Sequence, residues 1–347
     1  MSDATRAPGT PATVDGCPGC GNRALADALQ DVLSAAGIAP HAAVFVCGTG
    51  CAARLAGHLG VYGVHSVPGP TAAVASGIAR VSPGLDIWLI CEADDALGSG
   101  MSAFTHLLRH DLDVTCLVLT GADAGCVWPH PGPSPQIGTA RASRAAALDQ
   151  RHASALTPAR LALAAGAGFV ARTGEDDAAH LSQVLAAAHA HRGSAVVEVR
   201  RACQATDAAR PVTPDTVLSL VEGAPLRYGL DGSKALRLEP RRLALSVVSR
   251  DGGTMDAGDA LLHDPANRML ATLLADLPTP DLPEPCGILF RAVGPGAKKK
   301  GAAGPGAGGE HAATPGAPGT PPPEPDLQAR RDALAAILHR APTWDER

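Results

Sequence analysis

Read from its apolar positions, the first two-thirds of the chain alternates between two periods. Leu25, Leu29, Val32 and Leu33 recur at three- and four-residue spacing and predict a helix that Asn22 can cap and Gly37 ends. Ala43 to Cys47 is an apolar run of strand length leading into Gly48-Thr49-Gly50-Cys51. The helical pattern returns over Thr71–Val81, followed by a strand over Ile87–Cys91 and the acidic stretch Glu92-Ala93-Asp94-Asp95. A helix through Phe104, Leu107 and Leu108 comes next, then a strand over Val114–Leu119 and the loop Gly121-Ala122-Asp123-Ala124-Gly125. Pro129, Pro131, Pro133 and Pro135 predict an irregular stretch reaching to about Leu156. Beyond it, helix (Ala159–Ala165), strand (Gly168–Ala171), helix (Ala178–His191) and strand (Ala195–Val199) alternate again and end at Cys203. Buried strands alternating with amphipathic helices predict an α/β fold, a parallel sheet covered by helices on both faces. In such a sheet the chemistry lies beyond the carboxyl ends of the strands.

The same pattern divides the chain. Residues 1–16 read as an N-terminal extension, 17–225 as the α/β domain and 226–293 as a C-terminal segment of less regular pattern. Residues 294–325, rich in Gly, Ala and Pro and holding Lys298-Lys299-Lys300, read as a flexible linker. Residues 326–347 hold a last helix whose apolar positions are Leu327, Leu334, Ile337 and Leu338. Composition narrows the class: 46% of the 347 residues are hydrophobic and only 3% aromatic, so the core is built from small aliphatic side chains. A formal charge of -5 without a large basic block argues against nucleic acid as the main partner. No run approaches the ~18 apolar residues of a membrane span, and Met1–Pro11 lacks the apolar core of a signal peptide. Nine cysteines without a secretion signal then point to a reducing, cytoplasmic setting in which thiols serve metals or packing.

Those cysteines carry the candidate chemistry. In Cys17-Pro18-Gly19-Cys20-Gly21, two thiolates two residues apart on a Pro-Gly turn can grip one metal centre. By itself the spacing fits half a zinc site, a redox pair, a cluster corner or two ordinary cysteines. Cys51 and Cys203 each lie just past the carboxyl end of a strand, on one edge of the sheet. Cys47 and Cys116 lie within strands and read as small core residues, and Cys91, Cys126 and Cys286 as structural. With the Cys17–Cys20 turn folded over that edge, Cys17, Cys20, Cys51 and Cys203 form an all-thiolate set suited to zinc or to a 4Fe–4S cluster.

The run Cys17-Pro18-Gly19-Cys20-Gly21, then Gly48-Thr49-Gly50-Cys51, then Val197-Glu198-Val199 leading to Cys203, resembles the β subunit of a 2-oxoacid:ferredoxin oxidoreductase of the 2-oxoglutarate type. The likeness continues through Tyr62-Gly63-Val64-His65, Gly77-Ile78, Asp231-Gly232, Leu261-Leu262-His263-Asp264, Gly287 to Val293 and the terminal Pro342-Thr343-Trp344, so that 226–293 is also family-typical. The resemblance implies the thiamine-diphosphate-binding α/β fold, with Cys17, Cys20, Cys51 and Cys203 holding a 4Fe–4S cluster. It also implies a hetero-oligomer, an α2β2 assembly with an α subunit that completes the active site. The implied reaction converts a 2-oxoacid to an acyl-CoA, with electrons passing through the cluster to ferredoxin.

The chain departs from that pattern where the magnesium and diphosphate are held. The family's Gly-Asp-Gly-Asp-Ala is here Glu92-Ala93-Asp94-Asp95-Ala96, which puts Ala93 at the first magnesium ligand. The second ligand, the latter of two Asn residues, corresponds to Gly121, and the His-Gly-Arg segment near the thiamine has become Pro68-Gly69-Pro70. Magnesium requires oxygen ligands, and Ala93 and Gly121 offer no side-chain oxygen. The remaining candidates around such a cofactor are Gly48, Gly50 and His65, with Asp94 and Asp123 as substitute ligands. The expected function is therefore electron transfer through the cluster in a subunit degenerate in thiamine diphosphate and magnesium binding. The alternatives are an active β subunit performing CoA-dependent decarboxylation, or a structural protein whose four cysteines hold zinc.

Overall fold

Alternation within single strands sets the architecture. In β1 (Ala43–Cys47), Val44 and Val46 pack into one apolar layer while Phe45 and Cys47 pack into the other, and every residue of the strand is buried. The computed structural model describes residues 21–50, 52–120, 156–201, 213, 215–249, 260–279 and 281–293. The N-terminal extension, most of the proline-rich stretch, the linker and the last helix of the sequence reading lie outside them.

β3 (Asp86–Glu92), β4 (Thr115–Thr120), β5 (Phe169–Gly174) and β6 (Ala195–Arg200) repeat the same two-sided burial. One face is covered by α3 (Thr71–Val81), α5 (Met101–Arg109), α6 (Pro158–Ala165) and α8 (Arg268–Ala275). The other is covered by α1 (Asn22–Ala35), α2 (Leu55–Leu59) and α7 (Ala178–Ala190). The short helix α4 (Ala93–Leu97) follows β3 directly. With β2 (Tyr62–His65), β7 (Val217–Leu220) and β11 (Glu284–Arg291), the sheet among the described residues has the order β2-β1-β3-β4-β6-β5-β11-β7.

This is a mostly parallel sheet with helices on both faces. The six strands from β2 to β5 are mutually parallel, whereas β11 runs antiparallel to β5 and parallel to β7. The reversal brings Glu284, at the start of β11, to the carboxyl ends of β5 and β6. There it pairs with Arg200 and lies 3.7 Å from the buried Arg172, whose guanidinium also meets Glu198 at 3.1 Å. A separate antiparallel sheet, β8 (Arg227–Tyr228), β9 (Lys234–Glu239) and β10 (Ala244–Ser249), packs Leu226, Tyr228 and Leu236 against the first layer.

Local signals explain most element ends. Thr157 and Asp177 cap α6 and α7 by accepting from Arg160 N (3.3 Å) and His180 N (2.9 Å). Asn22 does not cap α1 as its position suggests, because Gly21 stands at the cap position without a side-chain bond, and Asn22 is buried. His263 fastens β11 by donating from Nε2 to Ile288 O at 2.8 Å, while its Nδ1 is buried without a hydrogen-bond partner.

Burial lowers the His263 pKa, so its neutral form is favoured in the fold. The unfolded chain then binds the proton more readily, and stability is lost as pH falls through the ordinary histidine value of roughly 6.5. Thermal melts from about pH 7.5 to about 5.5 should show a larger loss for the native chain than for His263→Gln, which cannot titrate. Equal losses would show that His263 does not contribute.

Candidate cofactor and metal site at the β1–β3 crevice

The strand order places a crevice before any side chain is considered. From β1 the chain crosses to β2 on one side, and β3 then lies on the other side of β1. In an open α/β sheet, ligands bind at the carboxyl ends where the order reverses in this way. The residues that meet there are Gly48 to Gly50 after β1 and Glu92 to Asp95 after β3, with Gly48 N donating to Ile90 O at 2.8 Å.

Two carboxylates occupy the walls of this crevice, and both are bound to protein donors. Asp95 is buried; its Oδ2 accepts from Thr71 Oγ1 at 2.7 Å and its Oδ1 accepts from Gly69 N. A Cβ at Gly48 would stand 2.8 Å from Asp95 Oδ2 and 3.3 Å from Cys91 Cβ, so this strand end needs glycine. Glu92 Oε1 accepts from Ala52 N at 3.2 Å, and Oε2 forms an ion pair with Arg201 Nη2. Arg201, 3% exposed, also donates from Nη1 to Asn22 Oδ1 at 3.4 Å and from its backbone N to Thr120 O at 3.0 Å. Burial pushes the Glu92 carboxyl up from its ordinary range, opposed by Arg201 and the Ala52 N–H, with Asp94 adding to the rise.

The other candidates are less enclosed. Asp94 is exposed on α4, Gly50 has a positive φ of 76°, and His65 is exposed at the carboxyl end of the edge strand β2, in register with Cys47. Asp123 and the four predicted cluster ligands Cys17, Cys20, Cys51 and Cys203 lie outside the described residues. Among the described residues no three His, Cys, Asp or Glu side chains gather where they could hold a metal ion. Cys47, Cys91, Cys116 and Cys286 are buried free thiols, as their strand positions predict for the first and third. Burial raises the pKa of all four, to about 11 for Cys47 and about 12 for Cys286.

Known proteins place this architecture in a family. A family model described as thiamine pyrophosphate enzyme, C-terminal TPP binding domain, matches residues 48–199, from the end of β1 through β6. The 2-oxoglutarate oxidoreductase subunit KorB of Mycobacterium tuberculosis is 30% identical over 270 residues, covering 75% of this chain and 71% of that protein. The chain belongs to the 2-oxoacid:ferredoxin oxidoreductase β subunits. The subunit beta of 2-oxoacid:ferredoxin oxidoreductase 1 from Aeropyrum pernix is 34% identical over 189 residues, or 54% of this chain and 58% of that one. In fold, the β subunit is similar to 2-oxoglutarate:ferredoxin oxidoreductase from Magnetococcus marinus, solved with 2-oxoglutarate, coenzyme A and succinyl-CoA bound. The TM-score is 0.56 and the identity 17%, over 96% of this chain and 94% of that one.

Sequence reasoning on this β subunit missed Arg201 and the Thr71 side chain, and it did not foresee the bonds that Asn22 and Gly69 make. An arginine directly after an apolar strand and two residues before a candidate cysteine was the available signal for the first, since a charge at a sheet core needs a partner. The bonds of Asp95 to Thr71 and Gly69 join residues far apart in sequence, and no local spacing announces them. Gly48→Ala should press on Asp95 and destabilise the subunit by about 1–3 kcal/mol, as overpacking does, read from denaturant unfolding. An unchanged midpoint would show that the crevice relaxes freely.

Proposed function

We propose that this chain is the cluster-bearing β subunit of a 2-oxoacid:ferredoxin oxidoreductase-type complex, degenerate in thiamine diphosphate and magnesium binding. Cys17, Cys20, Cys51 and Cys203 hold a 4Fe–4S cluster, and the chain works beside an α subunit with ferredoxin as electron partner. The observation that carries the degeneracy is the commitment of the crevice carboxylates. Asp95 is satisfied by Thr71 and Gly69, and Glu92 by Ala52 and Arg201. Ala93 offers no side-chain oxygen at the first ligand position. A diphosphate entering the crevice without its cation meets Glu92, Asp94 and Asp95. The residues of this crevice therefore do not fit a magnesium-bound diphosphate.

The cluster reading has separate support. The described neighbours of three cysteines, Asn22 after Cys20, Ala52 after Cys51 and Arg201 before Cys203, are joined through Glu92. Four soft thiolates suit iron–sulfur chemistry, which supplies one-electron transfer when the cluster is bound. The chain's own part is to hold those thiolates on one edge of a rigid sheet.

A second reading, an active subunit carrying out CoA-dependent oxidative decarboxylation of a 2-oxoacid such as 2-oxoglutarate, is favoured by the thiamine pyrophosphate model over residues 48–199. It requires Asp94 and Asp123 to supply the missing ligands.

Two measurements test these readings. The complex purified anaerobically with its α partner should be brown and contain iron and sulfide, and Cys51→Ala should lose both. A colourless zinc protein, or full iron in Cys51→Ala, would overturn the cluster assignment. Calorimetry of the same complex with thiamine diphosphate should show no tight, magnesium-dependent binding. A magnesium-dependent Kd at or below about 1 μM, some 8 kcal/mol of binding, would establish the second reading instead.

A further inference from the structure

The strands that precede two of the candidate cysteines lie apart in the sheet. β1, which precedes Cys51, and β6, which precedes Cys203, are separated by β3 and β4. At ~4.8 Å per strand their carboxyl ends are about 14 Å apart. Thiolates on one metal centre must each come within about 2.3 Å of a metal atom. The loops after these strands have to be drawn together, and some group has to link them across the two intervening strands.

We propose that Glu92 is the positioning residue that does this. Standing at the end of β3, it fastens the turn that carries Cys51 to the strand end that leads to Cys203 and, through Arg201, to the helix start that follows Cys20. The inference rests on the reading that these cysteines hold a cluster. Each contact falls within two residues of a candidate ligand. Oε1 accepts from the N–H of Ala52, Oε2 binds Arg201 across β4, and Arg201 donates to Asn22. The backbone N–H of Arg201 is held by Thr120 O at the end of β4, so the guanidinium reaches back from a fixed base. Glu175 lies against the segment after Cys20 from another side, its Oε2 0.8 Å from where a Cβ at Gly21 would stand.

The energetics point to position rather than stability. Burial disfavours the ionised Glu92 carboxyl despite its arginine partner, and a buried pair of this kind adds little net stability. What the pair does supply is a defined span between segments that the sheet keeps apart. Outer partners of metal ligands act in this way and govern how firmly the metal is held.

The test uses the anaerobic complex with its α partner, comparing native chain, Glu92→Gln and Glu92→Ala. Glu92→Gln keeps an acceptor for Ala52 N and loses the charge; Glu92→Ala loses both. The readouts are iron per chain, the rate of iron removal by a chelator, the electron paramagnetic resonance of the reduced cluster, and circular dichroism for folding. Glu92→Ala should surrender iron about 10-fold faster or more with an altered resonance, Glu92→Gln should recover part of the difference, and the dichroism should not change. Native kinetics and resonance in Glu92→Ala would overturn the proposal while leaving the cluster reading intact. A native complex without iron would overturn that reading, and the proposal with it. If the single variants do not fold, Glu92→Gln combined with Arg201→Met leaves no unpaired buried charge and carries the same readouts. Faster iron loss in that double variant supports the role, and unchanged loss rejects it.

Discussion

A carboxylate removed from water must be met by donors, and at the carboxyl edge of this sheet that requirement governs everything nearby. Asp95 meets Thr71 and Gly69, so the start of α3 is pinned to the start of α4. Glu92 meets Ala52 and Arg201, so the turns after β1 and β6 are pinned to the end of β3. Hydrogen bonds to ionised groups contribute about 1.5–3 kcal/mol each, and leaving one unmade costs the full desolvation of the group. The crevice of the fold is thereby built around its own acidic groups. At this switch point Glu92 and Asp95 are already bound to protein donors, while Asp94 stays exposed.

The same logic holds at the other end of the sheet. Arg172 and Arg200 would be stranded at the ends of β5 and β6 without Glu284 and Glu198. Glu284 reaches them only if β11 runs against β5, so charge pairing and strand direction are coupled. The central strands are thus held by one apolar alternation along their length, and β5, β6 and β11 also by ion pairs where the ends of β5 and β6 meet the start of β11.

Much of this was legible in the sequence because it is local. Runs such as Ala43–Cys47 and Thr71–Val81 coincide with β1 and α3, because continuous apolar or 3.6-residue patterns reflect burial directly. β7 to β10 were not read, since four short strands with turn-rich intervals between residues 213 and 249 blur any period, and β11 also went unread. β2, Tyr62–His65, is short and mostly exposed and so carries no apolar signature. The candidate site divides in the same way. The glycines and acidic residues after β1 and β3 were visible as loops following strands, whereas Arg201 and Thr71 enter through contacts across the sheet that no spacing encodes.

The buried thiols bear on how a metal centre would be assembled. Iron donors and oxidants react with thiolates, not with neutral thiols. Cys47, Cys91, Cys116 and Cys286 lie in the packed sheet, where burial holds them protonated. An unfolded chain would present nine comparable cysteines to incoming iron; once the sheet has closed, these four no longer compete. Were a cluster loaded after folding, the closed sheet would act as a proofreading step, sorting the ligands of a chain rich in cysteine by the order of events.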